Sequence, residues 1–164
     1  MEKDQKRLTP NAAKPKIEAF CTYQPRCQNE VMDKLYSYGL SSDDVNQLLL
    51  HVVKMGLVND ETYAVLFAGS KLRQNHWGKV KIKLALKQKQ ITDYCIKKAL
   101  NNLDDEQYNE ILEKEALKYA RTLKDKLYYI KQQKLSKHLI SKGFETDLCF
   151  EIAKSIFQDK KSNK

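Results

Sequence analysis

Val31-Met32-Asp33-Lys34-Leu35-Tyr36-Ser37-Tyr38-Gly39-Leu40-Ser41-Ser42-Asp43-Asp44-Val45-Asn46-Gln47-Leu48-Leu49 decides the fold, because its apolar spacing returns twice further along the chain. Val31, Leu35, Leu40, Val45, Leu48 and Leu49 recur as Ile82, Leu86, Ile91, Ile96, Ala99 and Leu100, and again as Leu135, Leu139, Phe144, Cys149, Ile152 and Ala153, with every interval kept. Self-similarity at fixed spacing marks an array of supersecondary units, each too small to bury its apolar face without neighbours. The expected fold is all-α: three tandem three-helix repeats over 10–57, 58–102 and 103–158, forming an elongated, curved array, with 1–9 and 159–164 as disordered tails. A compact bundle of eight or nine helices with accidental similarity is the competing reading, and matched spacing in three copies argues against it.

Local signals place the helices. Ile17, Phe20 and Cys21 follow the i, i+3, i+4 spacing of a helix over about 11–23, and Pro25 ends it. A second helix spans about 27–38 and stops where Gly39 fits a left-handed closing position. Ser41, with Asp44 three residues on, reads as the N-cap of a third helix that Gly56 terminates. Asn59 opens the second unit, whose first helix carries Tyr63, Leu66, Phe67 and Ser70 on one face. Val58-Asn59-Asp60-Glu61-Thr62-Tyr63 and Leu103-Asp104-Asp105-Glu106-Gln107-Tyr108 share an apolar lead, an acidic first turn suited to the helix dipole and a Tyr five places on. The distance from this opening to the next skeleton residue grows by eight in the third unit, so its first helix or the connection after it is about two turns longer.

Charge divides the chain into blocks. The net charge is +9, yet 69–103 alone holds nine Lys or Arg against Asp93. The sign reverses over 104–115, with six acids against Lys114, and reverses again over 121–142, with seven bases against Asp125. Distinct faces are therefore expected to meet a polyanion and something else. No run approaches the roughly 20 apolar residues of a membrane helix, and 1–16 lacks a secretory hydrophobic region, so a soluble, cytoplasmic protein is expected. Cys21, Cys27, Cys95 and Cys149 have no metal-ligand spacing and are expected to be reduced thiols.

No catalytic constellation can be assembled from the sequence, and no cofactor is implied. There is no Gly-rich phosphate loop, no G-x-S-x-G and no H-E-x-x-H, while His51, His76 and His138 lie far apart on different units. His51 reads as a partly buried structural residue. Asp104, Asp105 and Glu106 could bind a metal, but helix capping and dipole compensation explain them. A binding protein is favoured over an enzyme.

The strongest binding signal is Lys71-Leu72-Arg73-Gln74-Asn75-His76-Trp77-Gly78-Lys79-Val80-Lys81-Ile82-Lys83. Lys79, Lys83 and Lys87 are four apart and line up beside the face that Ile82 and Leu86 bury. Such a stripe suits repeated phosphates or a row of carboxylates, and an exposed Trp77 indole beside it could stack on a base or anchor a protein. The bland alternative makes Trp77 core packing and the lysines a solvated face; one-sided charge argues against it. A second run, Arg121, Lys124, Lys126, Lys131, Lys134 and Lys137, is interleaved with Tyr119, Leu123, Leu127, Tyr128, Tyr129 and Ile130, which fits nucleic-acid or acidic-groove binding.

These residues bring a family into view. Glu30-Val31-Met32-Asp33-Lys34-Leu35 with Tyr38-Gly39-Leu40, then Gly56-Leu57-Val58-Asn59-Asp60-Glu61-Thr62-Tyr63-Ala64, Ser70-Lys71-Leu72-Arg73 with Trp77-Gly78, Lys89-Gln90-Ile91, and Lys137-His138-Leu139-Ile140-Ser141-Lys142-Gly143-Phe144 resemble the bacterial RecX family of recombination regulators. The resemblance covers about 12–157. It implies a non-enzymatic modulator that binds the RecA recombinase filament along its groove, touches DNA, and restrains filament growth, ATP hydrolysis and strand exchange. It carries binding roles onto Lys71, Arg73, Trp77, Lys79 and Lys83. Where the family often has two adjacent arginines and a Tyr, this chain has Leu72, Gln74, His76 and Trp77, and Gln90 stands in place of a common Gly. A monomer is expected, and a helical nucleic-acid-binding protein acting without a recombinase is the alternative.

Overall fold

The computed structural model describes residues 6–158, which form nine helices and no strand. The first unit holds α1 (Pro10–Tyr23), α2 (Gln28–Ser37) and α3 (Ser42–Lys54); the second holds α4 (Asp60–Asn75), α5 (Lys79–Gln88) and α6 (Asp93–Asn101); the third holds α7 (Asp105–Ala120), α8 (Tyr128–Ser141) and α9 (Thr146–Ile156). The tail expectation for 1–5 and 159–164 lies outside the described residues. Within 6–9 the backbone is tied down, since the Leu8 N–H donates to the Tyr38 carbonyl at 2.9 Å and Thr9 caps α1.

Side-chain caps start five of the nine helices. Thr9, Ser41, Asn59, Thr92 and Asp104 each accept the backbone N–H three residues on, satisfying a donor that the helix itself leaves unpaired. The second helix of every unit ends at one equivalent left-handed residue: Gly39 (φ 78°), Gln90 (φ 60°) and Gly143 (φ 93°). This turn aims the third helix back across the second, and it explains the five-residue step from Leu35, Leu86 and Leu139 to Leu40, Ile91 and Phe144. Gln90 bears a Cβ where its counterparts have none, which strains the left-handed conformation. Gln90→Gly is therefore expected to stabilise the chain by about 1 kcal/mol, raising the melting temperature by roughly 3 °C in a calorimetric scan; an unchanged or lower midpoint would contradict it.

The eight extra residues of the third unit divide equally. α4 and α7 are both 16 residues long, so the first helix is not extended. Four of the extra residues lengthen the connection, 121–127 against 76–78, and four add one turn to the start of α8, which has 14 residues against 10 in α5.

The repeated skeleton is the core. All its positions are buried except Leu49, Leu100 and Ile152, which are half-buried. Among the described residues the helices pack mainly within their own unit, and across units α4 makes a small contact with α7, which gives the units a linear order. The apolar interior nevertheless forms two bodies: one belongs to the first unit alone, while the other runs continuously through the second and third and takes in only Cys27 from the first. The four thiols are free in this structure, and burial pushes that of Cys149 up to about 11, which keeps it protonated and inert.

Candidate functional site

Two seams join the units, and they determine which polar residues remain available to a partner. At the first seam, Cys27 at the N-terminus of α2 enters the core of the second unit. The Gln28 N–H donates to Asp60 Oδ1 at 2.8 Å, and Glu30 takes a 2.9 Å hydrogen bond from Lys89 Nζ while facing the Tyr63 hydroxyl. Burial raises the Glu30 carboxyl, but hydrogen bonds from Lys89 and the Cys27 N–H outweigh it and hold the group below the ordinary carboxylate range.

The second seam repeats this geometry with main chain in place of side chain. The Gly78 and Val80 N–H groups donate to the Lys142 and Gly143 carbonyls at 2.8 and 2.9 Å. Leu8 makes the equivalent contact on the turn of the first unit, donating to Tyr38. The Lys79 N–H donates to the Tyr108 hydroxyl at 3.0 Å, which in turn donates to Glu145 at 2.5 Å; burial and the Glu145 carboxylate raise the Tyr108 hydroxyl pKa, so it stays a proton donor.

A buried carboxylate completes this seam. Glu115 on α7, 8% exposed, receives His76 Nδ1 at 3.0 Å and His138 Nε2 at 3.2 Å, one ring on each oxygen. Tyr119 stacks flat on His138 with ring centres 3.9 Å apart. Sequence separation suggested dispersed histidines; folding brings His76 and His138 to one carboxylate, and only His51 stands alone, paired with Glu18 at 2.6 Å between α1 and α3. A lone Glu on the inner face of α7 was the available signal. Among the described residues no group of three or more His, Cys, Asp or Glu is arranged to hold a metal ion, and Asp104 acts as the cap of α7.

The lysine stripe is not uniform. Lys79 is half-buried at the seam, 3.6 Å from Asp105 and over the Tyr108 ring, because the start of α5 docks against α7. This corrects its expected place in a free cationic row. Trp77 is also corrected: the indole is half-buried against the shared core, with Lys71 Nζ 4.9 Å and Lys81 Nζ 4.7 Å over its ring. Those two ammonium groups already use its π-system. Arg73 is exposed, its guanidinium lying over Gly69. Lys83 and Lys87 remain exposed, and they share a cleft of about 310 Å³ with Lys97 and Asp93 over an apolar floor of Ile96 and Leu100. Lys97 was visible only as part of the charge excess, since its meeting with Lys83 and Lys87 depends on how α6 folds back on α5.

In the third unit, Lys134 is neutralised by Asp125 at 2.8 and 3.0 Å, and Lys131 lies over the Phe157 ring. Arg121, Lys124 and Lys126 are exposed beside Leu127, Tyr128 and Tyr129, which are 49%, 44% and 51% exposed. The three cations make no ion pair among the described residues, and two accessible phenol rings follow them directly along the chain, the combination of aromatic and basic groups that suits nucleic acid.

These features define a tandem-repeat protein of three-helix units, joined by specific polar seams and displaying separate cationic faces. Comparison with known proteins supplies the family. The model for the second three-helix domain of RecX matches residues 59–100, and that for the third matches 105–152. The regulatory protein RecX of Clostridium acetobutylicum is 30% identical across 90% of this chain and 70% of its own length. That of Clostridium perfringens strain 13 is 32% identical across 80% of this chain and 62% of its own, and the crystal structure of RecX from Lactobacillus salivarius superposes with a TM-score of 0.81 at 27% identity, covering 90% of this chain and 96% of that one. The chain belongs to the RecX family. It spans 62% of the Clostridium perfringens relative and 49% of that from Streptococcus uberis. No helix among the described residues is long and apolar enough to cross a membrane.

Proposed function

We propose that this chain is a non-enzymatic regulator that binds the RecA recombinase filament, touches DNA, and restrains ATP hydrolysis and strand exchange. The observation that carries this reading is the linear order of the units, with cations that make no ion pair among the described residues on more than one of them: Lys83, Lys87 and Lys97 on the second, Arg121, Lys124 and Lys126 on the third. Modest patches on one array gain effective concentration when the target repeats, so an assembled filament is preferred over a free subunit. Occupying the groove would exclude a second DNA and oppose the subunit motions of nucleotide turnover.

DNA-stimulated ATP hydrolysis by RecA, measured on single-stranded DNA with substoichiometric amounts of this protein, tests the reading. Inhibition well below DNA-saturating amounts is expected. Inhibition only when the DNA is titrated away would favour plain nucleic-acid binding, a reading that the exposed Tyr128 and Tyr129 beside Arg121 and Lys124 support in its own right. Lys83→Glu with Lys87→Glu is expected to weaken inhibition at least 10-fold with unchanged helicity, because both side chains are exposed and make no ion pair among the described residues. Lys79 is unsuitable for that test, since its reversal would also disturb the seam.

A further inference from the structure

The outer side of α5 does not look like a surface made for nucleic acid. Val80 and Leu84, one helical turn apart, are 48% and 57% exposed, which is unusual for aliphatic residues on a helix whose opposite side, Ile82 and Leu86, is fully buried. Lys83 and Lys87 run along one edge of this strip, and the cleft they share with Lys97, floored by Leu100 and Ile96, lies on their far side. The result is an aliphatic ridge with a row of ammonium groups along one edge.

Each ligand class would use this surface differently. A nucleic acid gains from rings on which bases stack and from arginine forks on phosphates, and this face presents neither around Val80 and Leu84. Asp93 on the cleft wall opposes a dense row of phosphates. A protein helix with leucine-like side chains on one stripe and carboxylates along its edge complements this arrangement: the apolar stripe covers Val80 and Leu84, and the carboxylates reach Lys83, Lys87 and, across the cleft, Lys97.

We infer that the α5–α6 face of the second unit is a docking groove for an acidic amphipathic helix of a protein partner. This deepens the proposal above by assigning the second unit to protein rather than DNA, and it rests on the reading that the chain has a protein partner. Covering Leu84 removes aliphatic surface from water, worth a 10-fold to 100-fold change in affinity if lost.

The test uses the full chain, isotope-labelled for amide NMR, titrated with three probes at one ionic strength. These are a helical peptide of about 15 residues with leucines along one stripe between glutamates, a peptide of equal charge with serines for leucines, and an oligothymidylate of equal charge. The leucine peptide is expected to shift amides of α5 and α6 and to bind at least 10-fold tighter than its serine counterpart. Leu84→Ser should remove that advantage while leaving circular dichroism unchanged, and Lys83→Glu with Lys87→Glu should abolish binding of both peptides. The inference is overturned if the oligothymidylate shifts α5 and α6 as strongly as the leucine peptide, or if leucines confer no gain. RecA ATPase inhibition separates the two proposals: retained inhibition by Leu84→Ser sinks the groove alone, whereas an inactive wild type sinks the regulator reading alone.

Discussion

Gly78→Ala is expected to lower the melting temperature by roughly 10 °C, a loss of about 3 kcal/mol, although it adds only one methyl group. A Cβ at this position would overlap the Gly143 carbonyl and the Phe144 nitrogen. Those atoms are main chain, so they cannot rotate aside. Relief requires the start of α5 to move off the turn between α8 and α9, which breaks the Gly78 and Val80 hydrogen bonds that hold the seam. Gly69→Ala is the control. The atoms nearest its Cβ would be the far end of the Arg73 side chain, which is free to swing away, and Ala is the better helix former within α4. A neutral or slightly stabilised Gly69 variant beside a strongly destabilised Gly78 variant is the expected pair, measured by calorimetry. Equal midpoints would mean that the seam is not packed as described.

Glu115→Ala should cost about 2–3 kcal/mol near neutral pH, because it leaves two histidine N–H groups without their shared acceptor at a buried position. Acid supplies the second half of the argument. Burial pushes the Glu115 carboxyl up, yet hydrogen bonds from His76 and His138 and the nearby Lys142 charge prevail, and the group lies below its ordinary value of 4.5. A carboxyl depressed by folding stabilises the fold above its unfolded pKa and loses that contribution as pH falls through the folded one. Wild-type protein should therefore lose more stability between about pH 5 and pH 3 than Glu115→Gln, whose amide does not titrate. Urea unfolding across that interval checks it, and parallel curves would remove the role of Glu115. Glu30 behaves in the same direction at the first seam, so its own acid loss is common to both proteins.

The parts of this architecture that were readable in the sequence depend on short-range periodicity. Apolar intervals such as Val31 to Leu35 and Ile82 to Leu86 follow from helix geometry, and caps such as Ser41, Asn59 and Asp104 satisfy nearby backbone donors, so both are written locally. Joining of units is not local. Glu115 meets His76 and His138 across 39 and 23 residues, and although its place on the inner face of α7 marks it as needing a partner, nothing local says which residues supply one. The same reason explains the lysines. Lys79 and Lys83 are indistinguishable by spacing, yet one faces α7 and is consumed by the seam while the other faces outward. Trp77 read as exposed beside the lysine stripe, whereas it is half-buried against the core that the second and third units share.

The two junctions differ in how readily they can be altered over evolutionary time. Glu30, Lys89 and Asp60 are side chains, so single substitutions can lengthen, shorten or remove the struts between the first two units and thereby reset their relative tilt. Gly78 against Gly143 is backbone on backbone, which no exchange of residue type can retune without forcing the pieces apart. Variation among homologous arrays in the angle between units should therefore accumulate at the first hinge, while the second stays fixed as a single rigid body.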